Sequence, residues 1–565
     1  MPQDRIIVRL ASREAGVELP VQLAAAVRPS ARSQRAAGDE RVAPLGLVTA
    51  AVLAGAYLRF MVVARVDFPL NDGGLFYVMT RELMQAHFRL PAFTAYNAAN
   101  IPFAYPPLGF YLAGLVTSVT GWPLLDVVRL LPAVLSTLTI PAFYLLSRDI
   151  LRSSGSAAVA TFAFAILPRT FTWFVMGGGL TRAPGFLFAI LMLHRAYLMF
   201  TRGTRRDVAW TGVLGSLVVL SHAEAAWFAI YSAALFFVFV GRSRRALVQS
   251  ALVAIMVLIL TAPWWLTLIA QHGAGPLLAA TGGGGYANFS WFPIKTFVFT
   301  DELYLPIVGA LGLVGAFVAI AQGELLLPVW LGTIFLANPR NPETPAAVPL
   351  AMLVAIALCR LIAPGVSTLA RAATAGDRAG IGGAVPRRGS LTATVRATAV
   401  PLMLAYLAAY TVLSSRAGVR WNSSLRALSP AERDAMAWVA ANTPDSSAFL
   451  VLEPDAPWFG LDPSAEWFPA LARRQSVATV QGYEWLPGRQ FYNRMRRYRA
   501  LNTCRTRGAA CIDAWLSATR GVTHVYLHAG SCCAILAASL RASANYVPVY
   551  DGRGATIFRR VAGTR

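Results

Sequence analysis

The chain has 565 residues, 56% of them hydrophobic and only 14% charged, with a mean hydropathy of +0.53. A water-soluble fold cannot hide that much apolar side chain, so most of the chain belongs in lipid. The formal net charge of +23 does not mark a nucleic-acid binder, because the arginines fall in short clusters between apolar runs, as in the cytoplasmic loops of multi-pass membrane proteins.

Residues 1–42 carry Arg5, Arg9, Arg13, Arg28, Arg32, Arg35 and Arg41 without an apolar core, which reads as a basic cytoplasmic tail and excludes a signal peptide. The next run, 44–64, then enters the membrane with its N-terminus inside. Later clusters are Arg148/Arg152, Arg202/Arg205/Arg206, Arg242/Arg244/Arg245 and the arginines of 364–396. All fall on one side if the spans are 44–64, 124–147, 156–175, 184–200, 208–221, 224–240, 246–268, 303–321, 324–338, 346–363 and 395–414. The expected fold is therefore mostly α: a polytopic helical membrane domain of about 11 spans over 43–414, then a small α/β extracytoplasmic domain over 415–565. This is an integral, multi-pass plasma-membrane topology with the N-terminus cytoplasmic. The apolar segment after Pro106-Pro107 is too short to cross and would invert every later cluster, so a helix lying at the outer interface is expected there.

The stretch "FPLNDGGLFYVMTREL", 68–83, puts Asp72 outside, directly after the first span. Other outward loops hold Arg182 in "MGGGLTRAPG", His222 and Glu224 in "SHAEAAW", Lys295 in the long segment 271–302, and Arg340 and Glu343 in "NPRNPETP". Ionisable groups at a lipid boundary usually face a cavity or a partner, so one outward-facing polar pocket is expected.

The order of these features, with "PPLGFYLAG" and "VVRLLPAVLSTLTIPAFYLL" following the acidic loop, resembles the opening of the C-type (GT-C) integral-membrane glycosyltransferases. That superfamily includes protein O-mannosyltransferases, aminoarabinose transferases and the catalytic oligosaccharyltransferase subunit. The resemblance extends to about residue 414, and "LSPAERDAMAWVAANTPDSSAFLVLE" is similar to the start of the outer domain in many such proteins. It implies transfer of a sugar from a polyprenyl-phosphate carrier to a glycan, lipid or protein acceptor on the outer face. It also implies that Asp72 is the general base on the acceptor. In some relatives the loop acid has a second acid beside it; here the neighbour is Asn71.

The chemistry needs these residue types. A base must take the acceptor proton as the oxocarbenium-like transition state forms, and a departing phosphate needs cations. The alternative reading of Asp72 is an N-cap for the helix that follows. Glu224 is the second catalytic candidate, with His222 beside it as a substrate ligand; their bland reading is a polar turn that satisfies helix ends. A divalent cation shared with Asp72 is compatible with this set, but two carboxylates and one imidazole do not define a metal site. Arg182 and Arg340 are the phosphate candidates, against headgroup snorkelling, with Lys295 third. Tyr105, in "FAYPPLG", completes the substrate-binding set. The glycines 282–285 suit either a loop closing over substrate or a plain connector.

Beyond 415 the apolar runs shorten to strand length ("AFLVLE", "THVYLH", "ATIFRRV"). Cys504, Cys511, Cys532 and Cys533 point to one or two disulfides, and adjacency argues for links from Cys532 or Cys533 to Cys504 or Cys511. Trp467, Tyr483 and Trp485 suit sugar stacking, but packing against the membrane domain is the favoured expectation. The rival functions are a transporter or flippase, which calls for charges within spans and internal repeats, and a non-catalytic component of cell-surface polysaccharide assembly.

Overall fold

Among the described residues, six helices are long and apolar enough to cross a membrane: Pro44–Val63, Leu124–Leu151, Gly179–Arg202, Ala223–Val240, Arg244–His272 and Glu343–Thr368. The computed structural model describes residues 42–282, 300, 302, 306–338, 341–368, 400–410, 412–413, 425–453, 459–519, 521–530 and 533–561. The chain begins with α1 (Val42–Val63) and the short α2 (Gly74–Gln85), followed by a two-stranded hairpin, β1 (Phe93–Thr94) and β2 (Ile101–Pro102). Then come α3 (Leu108–Thr120), α4 (Leu124–Leu151), α5 (Ser154–Ile166), α6 (Gly179–Arg202), α7 (Arg205–Ser221), α8 (Ala223–Val240), α9 (Arg244–His272) and α10 (Gly275–Gly282). After these lie α11 (Ile307–Ala321), α12 (Leu326–Ala337), α13 (Glu343–Ile356), which continues through a π-helical turn, and α14 (Val400–Tyr410). Serine or threonine starts α5, α7 and α9 beside the arginine clusters: Ser153, Thr204 and Ser243 each accept from a backbone amide three residues on.

A helix lies within each segment expected as a span, with residues 395–399 outside the described residues and the largest difference at 156–175. The segment 156–175 is not one helix, because α5 stops at Ile166. Leu167 is extended ahead of Pro168, as proline demands of the residue before it. The chain then runs irregularly to Gly179, and its free carbonyls are met by Arg59 from within α1. The Arg59 guanidinium is fully buried and donates to Ser136 Oγ (2.9 Å), Ala165 O (2.9 Å) and Thr170 Oγ1 (3.1 Å). A charge thus lies inside a span after all, and its partners are backbone and hydroxyl oxygens of the bundle itself.

The C-terminal part adds α15 (Pro430–Asn442), β3 (Ala448–Leu452), α16 (Pro463–Leu471), β4 (Gln475–Ser476), α17 (Gln490–Asn502), α18 (Ala509–Ser517), β5 (His524–His528), α19 (Ala534–Arg541), β6 (Tyr546–Asp551) and β7 (Ala555–Arg560). The sheet order is β4-β3-β5-β7-β6, parallel among β4, β3 and β5 and closed by an antiparallel β6–β7 hairpin. Cys504 is bonded to Cys511, seven residues away, which corrects the expected link to the adjacent pair. The reason is local: α17 ends in a 3-10 turn over Thr503–Thr506, which brings Cys504 beside the start of α18. Cys532 lies outside the described residues.

One apolar core joins this layer to the bundle: Phe68, Leu75 and Met79 pack with Phe110 on one side and with Met436, Phe449 and Trp467 on the other. Trp467 is fully buried, with its ring edge-on to Phe68 at 4.6 Å. It is a packing residue.

Replacing Arg59 with methionine leaves several buried oxygens without a donor, and a loss on the order of 3 kcal/mol is expected. Thermal unfolding in detergent should show a clearly lowered midpoint; an unchanged one contradicts this account of the broken α5 end.

Candidate functional site

Asp72 sits in the turn between α1 and α2, and the turn is shaped by glycine. Gly73 has φ 113°, a conformation other residues resist, and it is Gly73 that precedes the first turn of α2. The Asp72 carboxylate does not cap α2. It points the other way, to the start of α6, where Oδ1 accepts from Gly178 N at 2.7 Å and Oδ2 pairs with Arg182 Nη2. A carboxylate at a helix N-terminus is favoured by the exposed amides and the helix dipole. Gly177 N donates to Leu70 O at 2.9 Å, so the two chain segments run in backbone contact. A Cβ at Gly177 would collide with the Asp72 backbone, and one at Gly178 with the Asp72 carboxylate and Arg182.

Arg182 joins Asp72 to a cavity. Its Nη1 donates to Trp173 O at 3.2 Å, and its guanidinium lies 4.9 Å from the Trp173 ring centroid. Beyond it opens a cavity of about 340 Å³ whose walls include Arg169, Trp173, Arg182, His222, Glu224 and Glu343, with Phe174, Phe186 and Phe228 as apolar lining. His222 is the single residue between α7 and α8, and Glu224 is in the first turn of α8. Asn338 and Asn341, from the loop after α12, also line it. The cavity therefore gathers Arg182, His222 and Glu224 as the sequence reading expected; Asp72 reaches it only through Arg182.

The other candidates divide. Tyr105 is absent from the cavity wall; its hydroxyl donates to Glu484, and its ring lies 4.8 Å from that of Trp485. Burial, reinforced by Glu484, pushes the Tyr105 hydroxyl well up, so it stays a donor. Arg340 and Lys295 lie outside the described residues, as do residues 283–285 of the glycine run. Among the described residues there is no group of three or more His, Cys, Asp or Glu side chains that could hold a metal ion.

One residue was missed altogether. Glu466, on α16, accepts at Oε1 from the amides of Gly73 (3.3 Å) and Leu75 (3.1 Å), supplying the cap that Asp72 does not. Burial pushes its carboxyl up to about 8, and the Asp72 charge adds to this. It lies 393 residues from Gly73 in the chain, and nothing local in "SAEWFPAL" announces the contact. Asn71, in place of a second acid, is part of the mount. It exchanges backbone hydrogen bonds with Arg426 through N (2.7 Å) and side-chain Oδ1 (2.6 Å), and its carbonyl accepts from Trp467 Nε1 at 3.0 Å.

Residues 104–266 match the sequence family described as dolichyl-phosphate-mannose-protein mannosyltransferase. No curated protein matches the chain by sequence. Among solved structures, the archaeal oligosaccharyltransferase AglB from Archaeoglobus fulgidus, in complex with an inhibitory peptide and a dolichol-phosphate, is 16% identical with a TM-score of 0.54, covering 86% of this chain and 69% of its own. ArnT from Cupriavidus metallidurans, bound to undecaprenyl phosphate, is 14% identical with a TM-score of 0.52, covering 92% and 99%. The arabinofuranosyltransferase AftD from Mycobacteria is 16% identical with a TM-score of 0.54, covering 91% of this chain and 40% of that one. At such identities the likeness speaks for the fold. The family match covers residues 104–266, and the solved structures give the chain the fold that these membrane glycosyltransferases share.

Gly178→Ala should drive a methyl into the Asp72–Arg182 contact and lower glycosyl transfer by about 10-fold or more. Gly155→Ala, where a Cβ meets nothing within 4 Å, is the control. Equal activity in the two variants would separate the contact from function.

Proposed function

We propose that the chain is a membrane glycosyltransferase that moves a sugar from a polyprenyl-phosphate carrier to an acceptor at the outer face of the membrane. In this reading the arginine-lined cavity takes the donor and Asp72 takes the acceptor proton. The observation that carries it is the Asp72–Arg182 pair, which couples the acid of the first outer loop to the cavity wall. Arg182 offers a forked cation to the carrier phosphate, with Arg169 on the same wall. Arg340, in the loop whose Asn338 and Asn341 line the cavity, and Lys295 are the further phosphate ligands of the proposal. Glu224 and His222 hold the sugar hydroxyls, and Tyr105 with Glu484 faces the acceptor side. The aromatic lining excludes water, which strengthens the charge contacts made there.

Both Asp72 oxygens are engaged, one by Gly178 N and one by Arg182. When the carrier phosphate draws on Arg182, Oδ2 is released to accept the acceptor hydroxyl proton as the sugar–phosphate bond breaks. The same engagement favours a second reading, in which Asp72 serves only to orient Arg182. The topology belongs to the proposal: 1–42 cytoplasmic, 43–414 the catalytic membrane domain, 415–565 outside.

Asp72→Asn keeps the size and the acceptor for Gly178 N but cannot take a proton. Transfer should fall about 100-fold or more with donor binding retained; near-normal transfer leaves only the orienting role. Arg182→Lys should weaken binding of a polyprenyl-phosphate sugar, because a point charge cannot reproduce the fork.

Reporter fusions after Ser415 and within 370–390 should report opposite sides of the membrane. The same side for both would overturn the proposed orientation.

A further inference from the structure

The Asp72 loop is held from two directions, and only one of them is the membrane bundle. From the other side comes α16, whose first turn is pinned by its own cap, Asp462 Oδ1 accepting from Ala465 N at 2.8 Å. That places Glu466 against the start of α2. Its Oε1 accepts two amides of the turn, its backbone carbonyl accepts from Tyr96 OH at 2.6 Å, and the next residue, Trp467, reaches the Asn71 carbonyl. Gly74 is required by the same approach, since a Cβ there would strike the Glu466 carbonyl. Oε2 of Glu466 is buried and has no hydrogen-bond partner among the described residues. A fully buried carboxylate with one oxygen unmatched, close to the Asp72 charge, is costly; a protonated carboxyl in the same place costs less, because no charge is buried.

We propose that Glu466 is the positioning residue of the Asp72 turn: a side-chain acceptor, carried by the C-terminal layer, that fixes Gly73 and Leu75 so that Asp72 faces Arg182. This rests on the proposed role of Asp72 in transfer, and it makes the C-terminal layer a working part of the catalytic unit. Glu466 touches no substrate in this scheme; it acts through the turn.

The charges around Glu466 decide the pH behaviour. Asp72 faces it from the turn, Glu484 from the 3-10 turn over Tyr483–Trp485, and the hydroxyls of Tyr96 and Tyr105 from the β-hairpin and its exit. The described neighbours are thus acidic or neutral, with Arg182 on the far side of Asp72. Docked Glu466 holds its proton up to about pH 8, whereas an undocked glutamate lets go near 4.5. A group that binds its proton more tightly when docked stabilises docking at low pH. That stabilisation drains away as pH rises from about 5 to about 8, and it changes no further above that.

The test is amide hydrogen exchange across 70–77 in the full chain in lipid nanodiscs, from about pH 5 to about pH 9, corrected for intrinsic exchange. It compares wild type, Glu466→Gln, Glu466→Ala and Asp72→Asn. Wild-type protection should fall with rising pH and level off near 8. Glu466→Gln, which keeps the acceptor but cannot ionise, should be protected at every pH. Glu466→Ala should lose about 10-fold or more at every pH, as expected for two lost amide hydrogen bonds. With a panel of polyprenyl-phosphate sugars as donors, Glu466→Ala should lower kcat by a similar factor and leave donor KM unchanged. Identical protection and pH dependence in wild type, Gln and Ala variants overturns the proposal, as does a rise in donor KM without a fall in kcat. The Asp72→Asn arm separates the two ideas: if it transfers normally, the base role fails, and the exchange data still judge Glu466.

Discussion

Between Asp72 and Arg182 a carboxylate and a guanidinium meet across a contact so close that the chain around it must be glycine. Gly73 and Gly177 touch backbone to backbone, and Gly178 leaves the space the two charged groups fill. Much of the remaining architecture supports that approach. The break in α5 at Pro168 frees the chain that carries Trp173 and the glycine run. Arg59 then meets the carbonyls the break exposes, so an arginine in a span serves as a strut.

A second set of contacts explains why the C-terminal layer sits where it does. The turn before α2 is held by Trp467 and Glu466 from α16 and by Arg426 from the strand-like entry to α15, where Leu70 bridges Ala427. Arg426 in turn pairs with Glu432 and Glu453, two buried acids with opposite behaviour. Hydrogen bonding to His528 and the Arg426 charge outweigh burial and hold the Glu432 carboxyl down at about 2, whereas burial pushes the Glu453 carboxyl up, with Asp462 adding to it. The layer is therefore joined to the acidic turn by a chain of charged and hydrogen-bonded groups. Tyr105 with Glu484, and Trp485 packed on Leu268 and Ala104, extend the same junction to the C-terminal end of α9.

Much of this was legible in the sequence because lipid imposes simple rules. Apolar runs between arginine clusters pointed to helices where the structure has them, and Asp72, Arg182, His222 and Glu224 were singled out as ionisable residues in the loops away from those clusters. The failures have physical causes. The apolar run 156–175 continues past Pro168, so hydropathy alone cannot see that the helix ends and the site begins. The Asp72–Arg182 pair spans 110 residues and the Glu466 cap nearly four hundred, and neither leaves a local periodicity. Asn71 looked like a missing second acid, whereas it is the amide that mounts the turn on Arg426. The cysteine pairing was misjudged because adjacency of Cys532 and Cys533 says nothing about the turn that places Cys504 beside Cys511.

The central claim is that Arg182 is shared between Asp72 and the carrier phosphate. A structure of the full chain in nanodiscs with undecaprenyl phosphate, compared with the same preparation without it, tests this most directly. The account predicts the phosphate within hydrogen-bond reach of Arg182, in the cavity lined by Arg169, His222 and Glu224, with the Asp72 carboxylate still on the Gly178 amide and its other oxygen released. Phosphate bound elsewhere on the chain, with Arg182 closed on Asp72 as before, would contradict it.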